Sequence, residues 1–419
     1  MTLDATDART GLPADIAAGE AAVQGRAPQG VGPLGAGALG IGPLSVGPLG
    51  EPFDGIERIA VLRGGGLGDL LFAMGAIQSL RAAYPNARIT LLGTPMHAAL
   101  LKDRPNTVDE VVVLPIAKGV RDAPGQVEDE AEVERFVERM RAERFDLALQ
   151  LHGGGRFSNP FLLRLGARHT VGTRTPDAAP LERSMTYIYY QHEMLRALEV
   201  VGLAGVAPAV LEPRLTATER ERADTVQHVD GDARGLVLIH PGATDPRRRW
   251  PAASFAEVAA RLAADGAQVI VVGDASDEAN ATEIVRLARA AASETDAGRI
   301  TSLAGRLSLG ELVGLVSHAD VLLGNDSGPR HLAQAVGAAT VGIYWFGNVV
   351  NAGPLGRARQ RAHLSWTTHC PVCGVDCTQV GWSAERCEHD DSFVADVPAG
   401  AVYDDVAELT ATSLLLRGR

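Results

Sequence analysis

The chain has 419 residues, with 39 Lys and Arg against 51 Asp and Glu, a formal net charge of −12 and 46% hydrophobic content. Length and apolar content suit two or three domains with substantial buried cores, and the acidic balance argues against broad nucleic-acid binding. No apolar run approaches the roughly 20 residues of a membrane-spanning helix, and Met1-Thr2-Leu3-Asp4-Ala5 lacks the basic and then apolar pattern of a signal peptide, so a cytoplasmic protein is expected, with any membrane contact peripheral and local.

Residues 1–52 repeat Gly32-Pro33-Leu34, Gly42-Pro43-Leu44 and Gly47-Pro48-Leu49 within a Gly/Ala/Pro tract that has no helical or strand period. Such a segment buries too little to offset its ordering entropy and is expected to be a disordered tail. From Ile56 onward, strands and helices alternate. Strands are predicted at 57–63, 88–93, 110–114, 145–151 and 169–172, with helices at 69–84, 128–143 and 187–202. The Pro-containing stretch 204–216 reads as the connection to a second half. There, strands are predicted at 235–239, 267–272, 300–303, 320–324 and 339–343, and helices at 253–265, 277–292, 308–317, 328–337 and 402–416. This alternation implies α/β halves whose parallel sheets carry helices on both faces, and such sheets bind ligands at the carboxyl ends of their strands.

Glycine-rich turns stand at those ends. Ile59-Ala60-Val61-Leu62 leads into Arg63-Gly64-Gly65-Gly66-Leu67-Gly68-Asp69. The glycines allow a sharp turn and the close approach of a ligand, and Asp69 falls at the start of the next helix. It can serve there as an ordinary capping carboxylate or as a base toward an incoming hydroxyl, and the two roles are compatible. Leu236-Val237-Leu238-Ile239 leads into His240-Pro241-Gly242-Ala243-Thr244 and on to Arg247-Arg248-Arg249-Trp250-Pro251. Adjacent arginines are commonly a solvated surface. Here they follow a strand-end turn in an acidic chain, and guanidinium groups suit a diphosphate. Val321-Leu322-Leu323 leads into Gly324-Asn325-Asp326-Ser327-Gly328-Pro329-Arg330-His331, where a helix N-terminus offers free N–H groups to an anion. His331 reads equally as a donor to phosphate and as a packed, hydrogen-bonded histidine.

All four cysteines, Cys370, Cys373, Cys377 and Cys387, share one window, separated by two, three and nine residues. Four thiolates so spaced suit a structural zinc ion or an iron–sulfur cluster, with His369 and His389 as spare ligands. Free or redox-labile thiols are the alternative.

The order of these motifs is itself informative. Arg63 to Asp69 comes first, then His240-Pro241-Gly242 with Arg249-Trp250-Pro251. Leu303-Ala304-Gly305 with Leu309, Glu311 and Leu312 follows, then Asn325 to Pro329 with His331-Leu332-Ala333. Over residues 57–415 this order resembles glycosyltransferase family 9, the ADP-heptose:lipopolysaccharide heptosyltransferases and their relatives. The resemblance implies a GT-B fold, an α/β architecture of two Rossmann-like domains facing a central cleft. Residues 53–210 would form the acceptor domain and 211–398 the nucleotide-sugar domain, with a cysteine-bearing loop at 369–389. A helix at 399–419 is expected to close the chain by packing back on the first domain.

The resemblance also implies inverting transfer without a catalytic metal or other catalytic cofactor. The partners would be a nucleotide-diphosphate sugar, such as ADP-heptose, and a hydroxyl of a glycan or glycolipid. Asp69 matches the family's base, and Arg248 stands where a Lys is frequent. Asp326, Ser327, Gly328 and His331 match the donor-diphosphate site, Thr244 lies in a loop that contacts donor phosphates, and His240 and Arg249 belong to the same donor side. Arg63, Gly68 and Arg156 are expected on the acceptor side, with Tyr187, Tyr189 and Tyr190 either lining it or packing their own helix. No clear match for the family's donor-ribose Glu follows strand 267–272, where Asp274, Asp277 and Glu278 are nearby candidates. Two alternatives remain, a nonhydrolysing sugar-nucleotide epimerase of the same fold and a non-catalytic, metal-binding sugar-nucleotide sensor.

Overall fold

The computed structural model describes residues 47–416, apart from 106, 123–124 and 379–385. The expected tail thus lies, up to residue 46, outside the described residues. The first sheet contains β1 Arg58–Leu62, β2 Arg88–Gly93, β3 Glu110–Val113, β4 Leu147–Gln150, β5 His169–Arg174 and β6 Arg183–Thr186, in the order β3-β2-β1-β4-β5-β6. The second contains β7 Leu236–His240, β8 Gln268–Val271, β9 Ile300–Ser302, β10 Val321–Asn325, β11 Ala339–Trp345 and β12 Gln360–Ser365, in the order β12-β11-β10-β7-β8-β9. Every ladder between these strands is parallel.

Counted within its own half, each sheet has the same order. The chain winds from its first strand to one edge, then returns and winds to the other. Crevices therefore open between β1 and β4 and between β7 and β10, at the carboxyl ends where the two winding directions part. The glycine turns sit there because the topology leaves no helix over those points. Ile59 to Leu62, Leu147 to Leu149, Val237 to Ile239 and Val321 to Leu323 are all fully buried. Helices cover both faces of each sheet, so these strands read as unbroken apolar runs.

The helix Leu67–Ala83, predicted at 69–84, is buried almost all round. The interdomain connection runs along its outer side. Ser79 Oγ donates to the Gly75 carbonyl at 2.8 Å and accepts from Ala209 N–H at 3.0 Å. A Cβ on Gly75 would lie 3.0 Å from the Val210 and Leu211 carbonyl oxygens, so glycine lets the connection approach.

The expected helix 187–202 is two things: an irregular segment after β6, and a helix confined to Glu193–Gly202. The Arg196 guanidinium gathers the carbonyls of Ile188, Tyr189 and Gln191, which holds the preceding segment in a wrapped form outside the helix. The edge strands β6 and β12 were not apparent in the sequence, since neither carries an apolar run.

The terminal helix, Ala399–Leu416, corrects the expectation that it returns to the first domain. Val402, Val406 and Leu409 join the core of the second sheet, and Ser413 Oγ donates to the Asp320 carbonyl at 3.3 Å. Its apolar stripe finds the exposed face of β10 and β11 close by. The two halves meet elsewhere. Val313, Leu332 and Ala335 from the second half enter the first core, and a Cβ on Gly328 would lie 2.9 Å from Leu67 Cβ. Among the described residues no helix is long and apolar enough to cross a membrane.

Candidate active site

The first wall of the cleft is the turn after β1. Gly65 has φ +88°, and a Cβ there would lie 2.5 Å from Asp69 Oδ2, so the turn requires glycine. Asp69 sits in the first turn of its helix. Its Oδ2 accepts from Gly66 N–H at 2.8 Å and its Oδ1 from Arg63 Nη2 at 2.7 Å, while the side chain stays 46% exposed. The capping role is therefore real, and the carboxylate still opens into the cleft.

Arg63 is buried and fully engaged. It donates through Nε to the Asp69 carbonyl at 2.9 Å, through Nη1 to the Leu151 carbonyl after β4, and through Nη2 to the Asp69 carboxylate. It ties the β1 and β4 ends around Asp69 and also lines a small pocket of the first half with Gln150, Glu193 and Arg196. Glu193, not singled out in the sequence, lies 3.9 Å from Arg63. His97, also missed, accepts from Thr94 N–H at Nδ1 and donates from Nε2 to the Gly66 carbonyl at 3.2 Å. Burial lowers its pKa, which keeps this tautomer neutral.

The second wall joins the turns after β7 and β10. Asn325, wholly buried, accepts from Trp250 N–H at 3.0 Å and donates to the Pro241 carbonyl at 2.7 Å, clamping both loops. Trp250 is buried and donates through Nε1 to the Val397 carbonyl at 3.0 Å, which anchors the arginine loop. Arg247 turns inward onto Asp245. Arg248 and Arg249 line the cleft, with Arg248 Nη1 3.4 Å from Asp326 Oδ2 and Arg249 Nε donating to the Ala243 carbonyl at 2.9 Å.

Asp326 is buried and also accepts from Asn348 Nδ2 at 3.1 Å and His331 Nε2 at 3.1 Å. Burial alone would raise its carboxyl, but His331, Arg330 and Arg248 together hold it below the ordinary range. His331 is pushed down to about 4, mainly by burial and then by Arg330, and is neutral. Its Nδ1 accepts from Arg330 and its Nε2 faces Asp326. Both nitrogens are thus engaged within the protein, and of the two readings of His331 the packed, hydrogen-bonded one matches this geometry.

Ser327 Oγ lies 3.0 Å from His240 Nδ1, and His240 Nε2 lies 3.5 Å from Asp277 Oδ2. Burial would raise the Asp277 carboxyl, but His240, the Asp274 N–H and Arg249 hold it below its usual range.

The walls enclose one cleft of about 740 Å³, lined by Gly68 and Asp69 from the first half and by His240, Thr244, Arg248, Arg249, Asp277, Asp326, Ser327, Gly328 and His331 from the second. Gly68 is where the walls touch, since a Cβ on it would lie 3.4 Å from the His331 ring. Arg156 stands apart in a cavity of about 320 Å³ with His152, Tyr187 and Tyr189, and its Nε is 3.3 Å from Asp177. Tyr190 is not in that lining. Its hydroxyl donates to the Thr378 carbonyl of the cysteine loop.

The cysteine window is brought together with one change. Cys370, Cys373, Cys387 and His389 place one ligand atom each within 4.8 Å of one another, and Cys377 is outside this group. Buried Cys377 instead donates through Sγ to the Val375 carbonyl at 3.4 Å. Backbone N–H groups at Cys373 and Val372 bring the Cys370 thiol down to about 6, which favours the thiolate a metal requires.

The model of glycosyltransferase family 9 (heptosyltransferase) matches residues 133–377. The chain is a member of glycosyltransferase family 9. This glycosyltransferase is 26% identical over 304 residues to lipopolysaccharide heptosyltransferase 2 of Escherichia coli, covering 68% of this chain and 82% of that one. The solved E. coli ADP-heptose LPS heptosyltransferase II aligns with a TM-score of 0.65 at 20% identity, covering 85% of this chain and 99% of that one. TibC, an iron-containing dodecameric glycosyltransferase from enterotoxigenic E. coli, aligns with a TM-score of 0.51 at 14% identity over 87% of this chain and 78% of TibC. Membership makes the chain a glycosyltransferase that uses a nucleotide-sugar donor on a GT-B fold, which sets aside the epimerase and sensor alternatives.

Proposed function

We propose that this enzyme moves a sugar from a nucleotide-diphosphate donor of the ADP-heptose class to a hydroxyl of a glycan or glycolipid, with inversion and without a metal in the transfer step. The observation that carries this reading is that the Asp69 carboxylate and the Ser327–Gly328 helix start open into the same cleft. Residues 53–210 serve the acceptor and 211–398 the donor. The names of the relatives, which act on lipopolysaccharide and use ADP-heptose, support the choice of partners.

The acceptor hydroxyl enters beside Asp69, whose carboxylate takes its proton as the oxygen bonds to the anomeric carbon. The bond from that carbon to the diphosphate oxygen breaks, and its electron pair leaves on the diphosphate. Arg248, Arg249 and the N–H groups at Gly328 stabilise the growing charge, the effect that commonly dominates catalysis. Thr244 and His240 border the same anion. Asp326 is too tightly paired and too buried to meet a diphosphate; it positions Arg248 and Asn348. A single base on the acceptor side fits a single displacement, hence inversion. The cavity around Arg156, Tyr187 and Tyr189 suits the rest of the acceptor, since aromatic faces and a guanidinium match a sugar.

Cys370, Cys373, Cys387 and His389 hold a structural metal, zinc or iron. Three thiols and an imidazole at this mutual distance fit a tetrahedral ion, and none of them lines the cleft. TibC, which shares the fold, is iron-containing, and this supports a metal in a protein of this kind. The ion would cross-link the loop and supply no chemistry to the transfer.

The test supplies ADP-heptose with and without lipopolysaccharide-core acceptors and follows ADP release and the anomeric configuration of the product. Acceptor-dependent release with an inverted product is expected. A retained configuration, or near wild-type turnover by Asp69→Asn, would refute the mechanism.

A further inference from the structure

Asp277, His240 and Ser327 stand in line along the donor wall, and the transfer chemistry above does not need that order. Asp277 occupies space that two glycines leave for it. A Cβ on Gly242 would lie 2.4 Å from its Oδ1, and one on Gly273 would lie 2.6 Å from its Cβ. It caps its own turn by accepting from Asp274 N–H at 3.2 Å, but that role does not require the imidazole placed 3.5 Å from Oδ2. With a carboxylate facing Nε2, that nitrogen carries hydrogen whether His240 is neutral or charged. Everything then turns on Nδ1, which is 3.0 Å from Ser327 Oγ.

We propose that Asp277, His240 and Ser327 form a relay that makes Ser327 a hydrogen-bond donor to the donor's diphosphate by adding one proton to His240 when the diphosphate binds. While Nδ1 is bare, it takes the one hydroxyl hydrogen of Ser327 and leaves oxygen lone pairs facing the anion site. Once Nδ1 is protonated, it donates to Ser327 Oγ and the hydroxyl hydrogen is released. That hydrogen can rest on the Asn325 carbonyl, 3.2 Å away, or turn to a phosphate oxygen. The balance is one proton from solvent onto Nδ1, with no other bond made or broken. A dianion arriving beside His240 favours the extra positive charge, and Asp277 stabilises it from the other side. Asp277 and His240 act through Ser327 and are positioning residues. The charged and titratable groups around His240 come from three places: Asp277 after β8, Arg248 and Arg249 from the loop that His240 opens, and Asp326 with neutral His331 after β10. The relay rests on reading this cleft as the donor-diphosphate site.

Calorimetry of ADP and of inorganic pyrophosphate, in buffers of different ionisation enthalpy at a pH where free histidine is neutral, tests it. Uptake of close to one proton per ligand is expected with both probes, once the change in each ligand's own phosphate ionisation is subtracted. His240→Asn should abolish the uptake and weaken ADP roughly tenfold or more, the scale of one hydrogen bond to a charged group. Asp277→Asn should do the same, with folding verified by thermal melting. Arg248→Gln should weaken binding yet keep the uptake. Binding without proton uptake, or uptake that persists in His240→Asn and so belongs to His331, overturns the relay and leaves the transfer mechanism standing. Failure of both probes to bind overturns the donor-site reading and the relay together.

Discussion

The two walls of the cleft are built from the same parts with the charges exchanged. On the first, a buried arginine, Arg63, holds a carboxylate, Asp69, at the surface of the cleft. On the second, a buried carboxylate, Asp326, holds an arginine, Arg248, at the opposing surface. Each supporting charge is buried and satisfied by its partner, and each presented charge keeps a face toward the ligand. In the mechanism proposed above, two halves of one topology divide proton abstraction from anion stabilisation by which member of an ion pair is buried.

The largest expected effect comes from removing the presented charge on the first wall. Asp69→Asn should lower kcat by roughly a thousandfold, the range of a lost general base, with ADP affinity unchanged; steady-state kinetics and calorimetry on one preparation check both halves of that statement. If ADP affinity fell equally, the two walls would not be separate in function.

Acid should expose the difference in how the walls are supported. His331 has a pKa of about 4 in the folded chain against an ordinary 6.5. Unfolded chains take up the proton first as pH falls, so this contribution is complete above about 6.5 and is lost on the way down to about 4. Its size is on the order of 3 kcal/mol. The depressed carboxyl of Asp326 adds a further loss, in the same direction, at lower pH. Buried His152, beside the first wall and also near 4, has the same sign. Thermal melts across this window should show His331→Gln flattening part of the slope, and an unchanged slope would remove His331 from the account.

On the second wall Arg248→Gln should cost about a hundredfold in kcat/KM, since one preorganised charge facing the leaving group is lost. Because Asp326 would then lose a partner, a modest drop in melting temperature should accompany it. The smallest effect tests the seam between the walls. Gly328→Ala places a methyl 2.9 Å from Leu67 Cβ, so the halves must shift. An overpacking cost of roughly 1–3 kcal/mol is expected, read as a lower melting temperature.

Much of this comparison was legible in the linear chain. Strand-end glycines, the first-turn Asp69 and the Asp326 to His331 cluster are local features, and local backbone chemistry places them without reference to distant residues. The edge strands β6 and β12 were not legible, because Arg183–Thr186 and Gln360–Ser365 alternate polar residues in place of an apolar run. Cys377 was expected in the metal set on spacing alone, whereas the ligand atoms that lie together are those of Cys370, Cys373, Cys387 and His389. The engagement of Arg63 was hidden as well, since its partner Leu151 is 88 residues away.

The sequence by itself determined the α/β alternation, the places where glycine turns follow buried strands and the family the chain belongs to, because these depend on periodicity and on contiguous motifs. Only the tertiary structure decided which charges are presented and which are buried, where the terminal helix docks, and that Asp277 reaches His240. Those outcomes depend on pairings between strands far apart in the chain, and the cost of burying a charge is settled only when its partner arrives from the other strand.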